Sequence, residues 1–326
     1  MVKKTLYLIA MLFASSIALM AQLETSRLTI TSGVTNPVLK QTIEQNVTNF
    51  LSACNVAVMK GDKPKFHKDW STTDARNRTL EIWNNSPFNY SVSTLERICA
   101  KRPAGGWQIR DIPVTMFDAP DDERNQEIVI NLTADGRIDD VFVPVTQYTE
   151  LLSASIEVED INLRMTVLEF VENFRTAYNR RSIKDLEIMF SDDAIIIVGK
   201  EIKPLKTKDA HNVVVSTNSQ FEYQVKTKAQ YIASLRNIFK VNKYVNVGFD
   251  DIEVIRHPNP EYPVYGVTLK QAWRSTYYSD DGYVFLLIDF EEPKQPVITV
   301  RTWQPDKIDG RDLRPDEVFK MGDFIK

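Results

Sequence analysis

Apolar residues recur at helical steps twice along this chain. In the first half Leu39, Ile43, Val47, Phe50 and Cys54 follow one another at intervals of four, four, three and four, which is one face of an α-helix. In the second half Leu163, Val167, Val171, Phe174 and Tyr178 repeat those intervals. The match goes beyond pattern. A shift of 124 places Leu39, Thr42, Val47, Asn49, Phe50, Ala53, Asn55, Lys60 and Phe66 on identical residues, nine identities in the 28 ungapped positions 39–66. Average composition gives about two by chance. The chain therefore reads as two similar domains.

Each half is expected to continue with a short second helix, a capped third helix and then strands. Ser93-Thr94-Leu95-Glu96 and Thr227-Lys228-Ala229-Gln230 both fit a capping box, a hydroxyl followed three residues on by Glu or Gln. Alternating apolar runs predict strands at Trp107–Phe117, Glu127–Thr133 and Arg137–Val145, then a meander at Val245–Ile255, Val264–Tyr278, Tyr283–Glu291 and Val297–Trp303. The middle turn of the meander is placed at Ser279-Asp280-Asp281-Gly282. A linker is expected near Ser153–Asp160, and the polar tail from Gln304 is expected to dock back through Phe319 and Phe324.

Lys3 and Lys4 ahead of the apolar stretch to Met20, with Ala21 before Gln22, have the layout of a cleaved secretory leader. The expected division is a leader over 1–21, domains over 22–158 and 159–305, and a tail over 306–326. Leader removal takes two of the 40 basic residues and leaves a net charge of −6. Without a long basic run, nucleic acid is not the expected partner. Contact with membrane is expected only through the removed leader. Cys54 and Cys99 could pair in an oxidising compartment, or remain buried thiols.

The helical openings followed by an antiparallel meander resemble the nuclear-transport-factor-2-like superfamily, which includes ketosteroid isomerase and polyketide cyclases. Tyr265-Gly266-Val267-Thr268-Leu269, Gly282-Tyr283-Val284-Phe285-Leu286 and Val300-Arg301-Thr302-Trp303-Gln304-Pro305 look like secreted tandem proteins of this class from Gram-negative bacteria. The resemblance implies an α+β chain of two cone-shaped domains, each with helices closing the concave face of a bent sheet. It also implies an exported protein, periplasmic or at the cell surface.

With Tyr278 paired to Tyr283, Val267, Leu269, Gln271, Trp273, Ser275, Tyr277, Val284, Leu286, Ile288, Phe290, Ile298, Val300 and Thr302 share the inner face. That face holds no carboxylate, histidine or basic residue. Acid–base chemistry needs a titratable group within reach of substrate, so the expectation is a non-enzymatic chain without cofactor or metal. Gln271, Trp273, Ser275 and Tyr277 are the candidate ligand contacts. The histidines His67, His211 and His257 lack metal spacing, and Asp118, Asp121, Asp122 and Glu123 lack the pattern of a calcium loop.

The opposite face carries Arg274, Tyr278, Tyr283, Phe285, Asp289, Arg301 and Trp303. Tyr, Trp and Arg dominate binding hot spots, so this patch is expected to meet an unknown protein partner or a second copy of the chain. The leading expectation is a binding or scaffolding protein of the envelope. The alternative is a cyclase- or isomerase-like enzyme, or a carrier of small apolar ligands, using the cavity of the second domain.

Overall fold

The computed structural model describes residues 27–145 except 91 and 103, and residues 161–325 except 203–206, 209–213, 216–219 and 309. The leader, the linker at Ser153–Asp160 and His211 lie outside those residues. The chain divides into two compact units, 1–144 and 145–326, and both are α+β. Among the described residues, no helix is long and apolar enough to cross a membrane.

The first unit runs β1 (Arg27–Ser32), α1 (Pro37–Lys60), α2 (Thr73–Asn85), β2 (Phe88–Asn89), β3 (Thr94–Lys101), β4 (Trp107–Met116), β5 (Asn125–Leu132) and β6 (Ile138–Phe142). Helix α1 starts where the Asn36 side chain accepts from the Val38 and Leu39 amides. It stops at Gly61, whose positive φ of 62° lets its N–H reach back to the last carbonyls. The face Ile43, Val47, Phe50 and Cys54 is buried. The sheet order is β1-β3-β4-β5-β6, with β2 on β4.

The expected helix at Ser93 is strand β3 instead. Leu28 of β1 lies beside Leu95, and Cys99 lies opposite Ile109 of β4. Leu95 and Cys99 are buried while Ile98 is exposed, a strand's division of faces rather than a helix's. Pairing on both sides outweighs a four-residue capping signal. Cys54 and Cys99 are buried free thiols, and burial pushes the Cys99 thiol up to about 12.

The second unit contains α3 (Ile161–Asn179), α4 (Ile183–Met189), β7 (Phe190–Ile202), β8 (Thr207–Lys208), β9 (Val214–Val215), β10 (Gln220–Lys226), α5 (Lys228–Val241), β11 (Val245–Arg256), β12 (Val264–Ser275), β13 (Ser279–Asp289) and β14 (Val297–Pro305). The capping box at Thr227 forms in full. Its large sheet has the order β10-β7-β14-β13-β12-β11. Helices α3 and α5 close one face over a core that includes Phe174, Phe190, Phe249, Val267, Leu286 and Ile298.

Residues matched between the two halves make similar contacts. Phe50 stacks on Phe66 with centroids 5.0 Å apart, and their counterparts Phe174 and Phe190 meet edge-on at 5.8 Å. The Asn55 amide bonds both the N–H and the C=O of Tyr90, at 2.8 and 2.9 Å. Its counterpart Asn179 does the same to Val247, at 2.7 and 3.3 Å. A helix side chain thus takes the place of a neighbouring strand for one residue of a sheet.

Two register features correct the expected meander. The β12–β13 turn is Thr276-Tyr277-Tyr278, closed by the Ser275 N–H donating to the Tyr278 carbonyl at 2.8 Å, and Ser279–Gly282 lie inside β13. Gly282 serves close approach rather than a turn. A Cβ there would stand 2.2 Å from the Gln304 carbonyl oxygen and 2.9 Å from Trp303 Nε1. Gly282→Ala should therefore lower stability by about 1–3 kcal/mol, as read from a urea unfolding midpoint, because backbone must move.

The second feature is a β-bulge at Thr299. Ile288 pairs with Ile298, yet its neighbour Leu287 pairs with Val300, so one residue of β14 is extra. Such an insertion reverses which face every later side chain meets. Ile298 stays in the main core, whereas Val300 joins Phe285, Leu287 and Met321 on the opposite face. Arg301 is thereby turned inward and is only 4% exposed.

The outer face is covered in part by the tail, which carries a small hairpin, β15 (Lys307–Ile308) with β16 (Arg311–Asp312). Phe324 stacks on Phe285 at 5.5 Å, and Phe319 meets Tyr223 edge-on. The Gln304 side chain accepts from the Phe319 N–H and donates to the Glu317 carbonyl. Glu317 in turn binds both Arg311 nitrogens at 2.8 and 2.9 Å and accepts from the Arg314 N–H. Arg311 and that amide lower the Glu317 carboxyl to about 2.

A carboxyl depressed on folding stabilises the fold above its unfolded pKa, ~4.3 for Glu, and loses that contribution as pH falls. The tail is accordingly expected to loosen between about pH 4 and pH 2. Glu317→Gln should loosen it at neutral pH. Faster hydrogen exchange at residues 311–325 is the measurement.

Candidate active site in the second unit

A cavity of about 390 Å³ opens between α5 and the inner face of the sheet. Helix α5 contributes Tyr231, Leu235 and Ile238; strand β7 contributes Val198; β12 contributes Gln271, Trp273 and Ser275. Tyr278 and Asp280 come from the hairpin, and Arg301 and Trp303 from β14.

The expected absence of ionisable groups is overturned here. Arg301 comes inward because of the Thr299 bulge. Asp280 comes inward because the hairpin turns earlier, which makes Asp280 a strand residue pointing with Gly282 and Val284. One nitrogen of Arg301 donates to Gln271 Oε1 at 3.4 Å, and the guanidinium carbon lies 5.0 Å from the Tyr231 ring centre. Burial opposes the Arg301 charge, but Tyr231, Tyr178 and Asp280 more than offset it, and its pKa moves up. The Tyr178 and Tyr231 hydroxyls share a hydrogen bond of 2.6 Å. Burial first, and then Tyr231, raise the Tyr178 phenol well above its ordinary value.

Asp280 accepts from the Tyr278 hydroxyl through Oδ2 at 2.6 Å. Burial raises its pKa, and Asp281 adds to the shift, against the opposing bond from Tyr278 and the charges of Arg301 and Arg274. Three buried polar atoms around this cavity have no hydrogen-bond partner among the described residues: Asp280 Oδ1, Arg301 Nε and Trp303 Nε1. Buried polar atoms are nearly always paired, so these three leave hydrogen-bonding capacity unused at one cavity.

Gln271, Trp273 and Ser275 line the cavity. The Ser275 hydroxyl is already committed to the Tyr278 carbonyl at 2.9 Å. Tyr277 is 75% exposed at the hairpin tip, so it is not a wall of the cavity.

The expected outer patch does not exist as one surface. Arg301 and Trp303 face inward and Tyr278 stands at the cavity rim. Phe285 lies beneath the tail. Arg274 grips Asp281 at 2.8 and 3.1 Å, Asp289 caps the Glu291 N–H, and Tyr283 lies under Lys270. Tyr178 was legible only as an apolar-face residue. The signal it carried was a phenol hydroxyl on a buried face, which needs a polar partner. Among the described residues, no group of three or more His, Cys, Asp or Glu side chains could hold a metal ion.

Comparison with protein-family models and with curated proteins finds no match. Among solved structures, the chain is similar to an NTF2-like protein from Cytophaga hutchinsonii, at 12% identity over 44% of this chain and 97% of that one, with a TM-score of 0.32. It is similar to a protein from Streptomyces avermitilis proposed as a dehydratase of the NTF2-like family, at 11% identity over 43% and 94%, TM-score 0.31. A third structure, proposed as a scytalone dehydratase from Novosphingobium aromaticivorans, matches at 12% identity over 46% and 88%, TM-score 0.31. The likeness is one of fold alone. The expectation that the chain is no enzyme rested on an inner face without ionisable groups, and it is corrected by Asp280 and Arg301 in the lining of the cavity.

Proposed function

We propose that the second unit binds a small ring compound and moves a proton on it, in the manner of an isomerase, cyclase or dehydratase. The observation that carries this reading is Asp280, a carboxyl with raised pKa and one unpartnered oxygen, lining the same cavity as the buried cation Arg301. A carboxylate tuned upward is suited to take and return a proton. The Arg301 guanidinium favours negative charge that builds on a ligand oxygen in a site walled by Trp273, Trp303, Leu235 and Ile238. Asp280 would remove a proton from a carbon beside a carbonyl, leaving an enolate, and return it to the same or a conjugated carbon.

The test is deuterium wash-in from heavy water into a panel of cyclic ketones and keto acids, followed by NMR. Exchange by the wild-type chain that disappears in Asp280→Asn supports the reading; no exchange above the buffer rate across the panel overturns it. The leader-like pattern at residues 1–21 supports action outside the cytoplasm. Fractionation of cells producing the full chain checks that part, with a cytoplasmic protein as the contrary result.

A further inference from the structure

We infer that the cavity takes its ligand as an anion, a flat two-ring carboxylate held by Arg301 Nε–H and Trp303 Nε1–H. The inference rests on the cavity reading above and specifies what enters it. Arg301 is buried, and its guanidinium has no ion pair within 4 Å among the described residues. Its contacts are the Gln271 amide oxygen, the Tyr178 hydroxyl and the Tyr231 ring, and Asp280 is the carboxyl that acts on its charge. A buried cation is costly unless its donors are all paired, and the Arg301 Nε–H has no acceptor among the described residues. An arriving carboxylate supplies that acceptor.

The second donor stands nearby. Trp303 follows Arg301 by two residues on β14, so both point to one face. Gln271, which accepts from Arg301, is the cross-strand neighbour of Gly282. Trp303 Nε1 lies 2.9 Å from where a Gly282 Cβ would be. Arg301 and Trp303 therefore converge over a residue with no side chain, each with an N–H to spare.

Asp280 is the carboxyl that lines this cavity, whereas Asp281 points to the other face of β13. Asp281 is held by Arg274, and Asp280 is held through Oδ2 by the Tyr278 hydroxyl. Trp273, Leu235, Ile238 and Val198 give the cavity an apolar wall, with Asn242, Ser275 and Tyr278 as further polar lining. The volume of about 390 Å³ falls within the range of ordinary small-molecule sites. These features together fit a planar hydrocarbon body with one charged head.

The matched probes are 2-naphthoate and its neutral analogue 2-naphthamide, titrated by calorimetry at neutral pH. The carboxylate is expected to bind roughly tenfold tighter or more, the effect of a charge-assisted hydrogen bond. Arg301→Met should bring the two affinities together. Trp303→Phe, which keeps the aromatic wall and removes the N–H, should weaken naphthoate several-fold and spare the amide. Trp303→Phe decides the matter if Arg301→Met does not fold.

Equal or tighter binding of the amide to the wild-type chain overturns the inference and leaves the cavity reading standing. So does a carboxylate preference that survives both substitutions. Binding of neither compound overturns the inference, and if the ketone panel also shows no exchange, the cavity reading falls with it.

Discussion

Asparagine in place of Asp280 should cut deuterium wash-in by roughly 10²–10⁴-fold, the range for losing a positioned general acid or base. The change is nearly isosteric and keeps an oxygen for the Tyr278 hydroxyl, so the loss reports chemistry rather than collapse. The variant should also be more stable than the wild type at neutral pH. A carboxyl whose folded pKa is raised binds its proton more tightly in the fold than in the unfolded chain. It costs nothing at low pH, where both states are protonated. The cost grows as pH rises from the unfolded value, ~3.9 for Asp, toward the folded one, and is complete above that. Thermal melts across pH should show the two proteins converging in acid and Asp280→Asn pulling ahead toward neutrality. Equal activity of the two proteins would remove Asp280 from the chemistry. Equal melting at every pH would mean that its carboxyl is not strained.

The second large effect is expected at the paired asparagines. Asn179→Ala leaves the buried Val247 N–H without its 2.7 Å partner, while the Val247 carbonyl keeps its bond from Arg175 Nε at 2.7 Å. Asn55→Ala removes the partner of both the Tyr90 N–H and its C=O. An orphaned buried backbone group costs about 1–3 kcal/mol. The expected losses are therefore about 1–3 kcal/mol for Asn179→Ala and roughly twice that for Asn55→Ala. Calorimetric unfolding of the full chain should show that order. A smaller loss at Asn55 would mean that the Tyr90 backbone finds water instead.

The same two residues show how far the sequence could be read. Asn55 and Asn179 count among the nine identities between the two halves, so their positions stood out in the sequence. Their task did not, because nothing local says that a helix amide will satisfy a strand some 35 or 68 residues away. Periodicity found both long helices and most strands, since burial imposes it directly. It missed β1, and without that partner Thr94–Lys101 read as a helix. It also missed β7 and β10, the two strands that carry the second sheet past β14.

The candidate site was less legible for a sharper reason. Gln271 and Trp273 were identified by alternation alone. Arg301 and Asp280 were lost to a single extra residue and a misplaced turn. Ile298-Thr299-Val300 is a run of β-branched residues with every appearance of a regular strand, so nothing marks the bulge within it. Ser279-Asp280-Asp281-Gly282 has turn composition, yet its glycine answers to the crowding of Gln304 and Trp303.

The bulge makes the electrical character of the interior a matter of counting. One more residue beside Thr299 would reverse the parity of β14 from that point onward. Arg301 would rotate out to the solvent side, Val300 would take its place, and the chamber would lose its cation with every original side chain still in the chain. A lineage could thus exchange one chemistry for another through a single inserted codon.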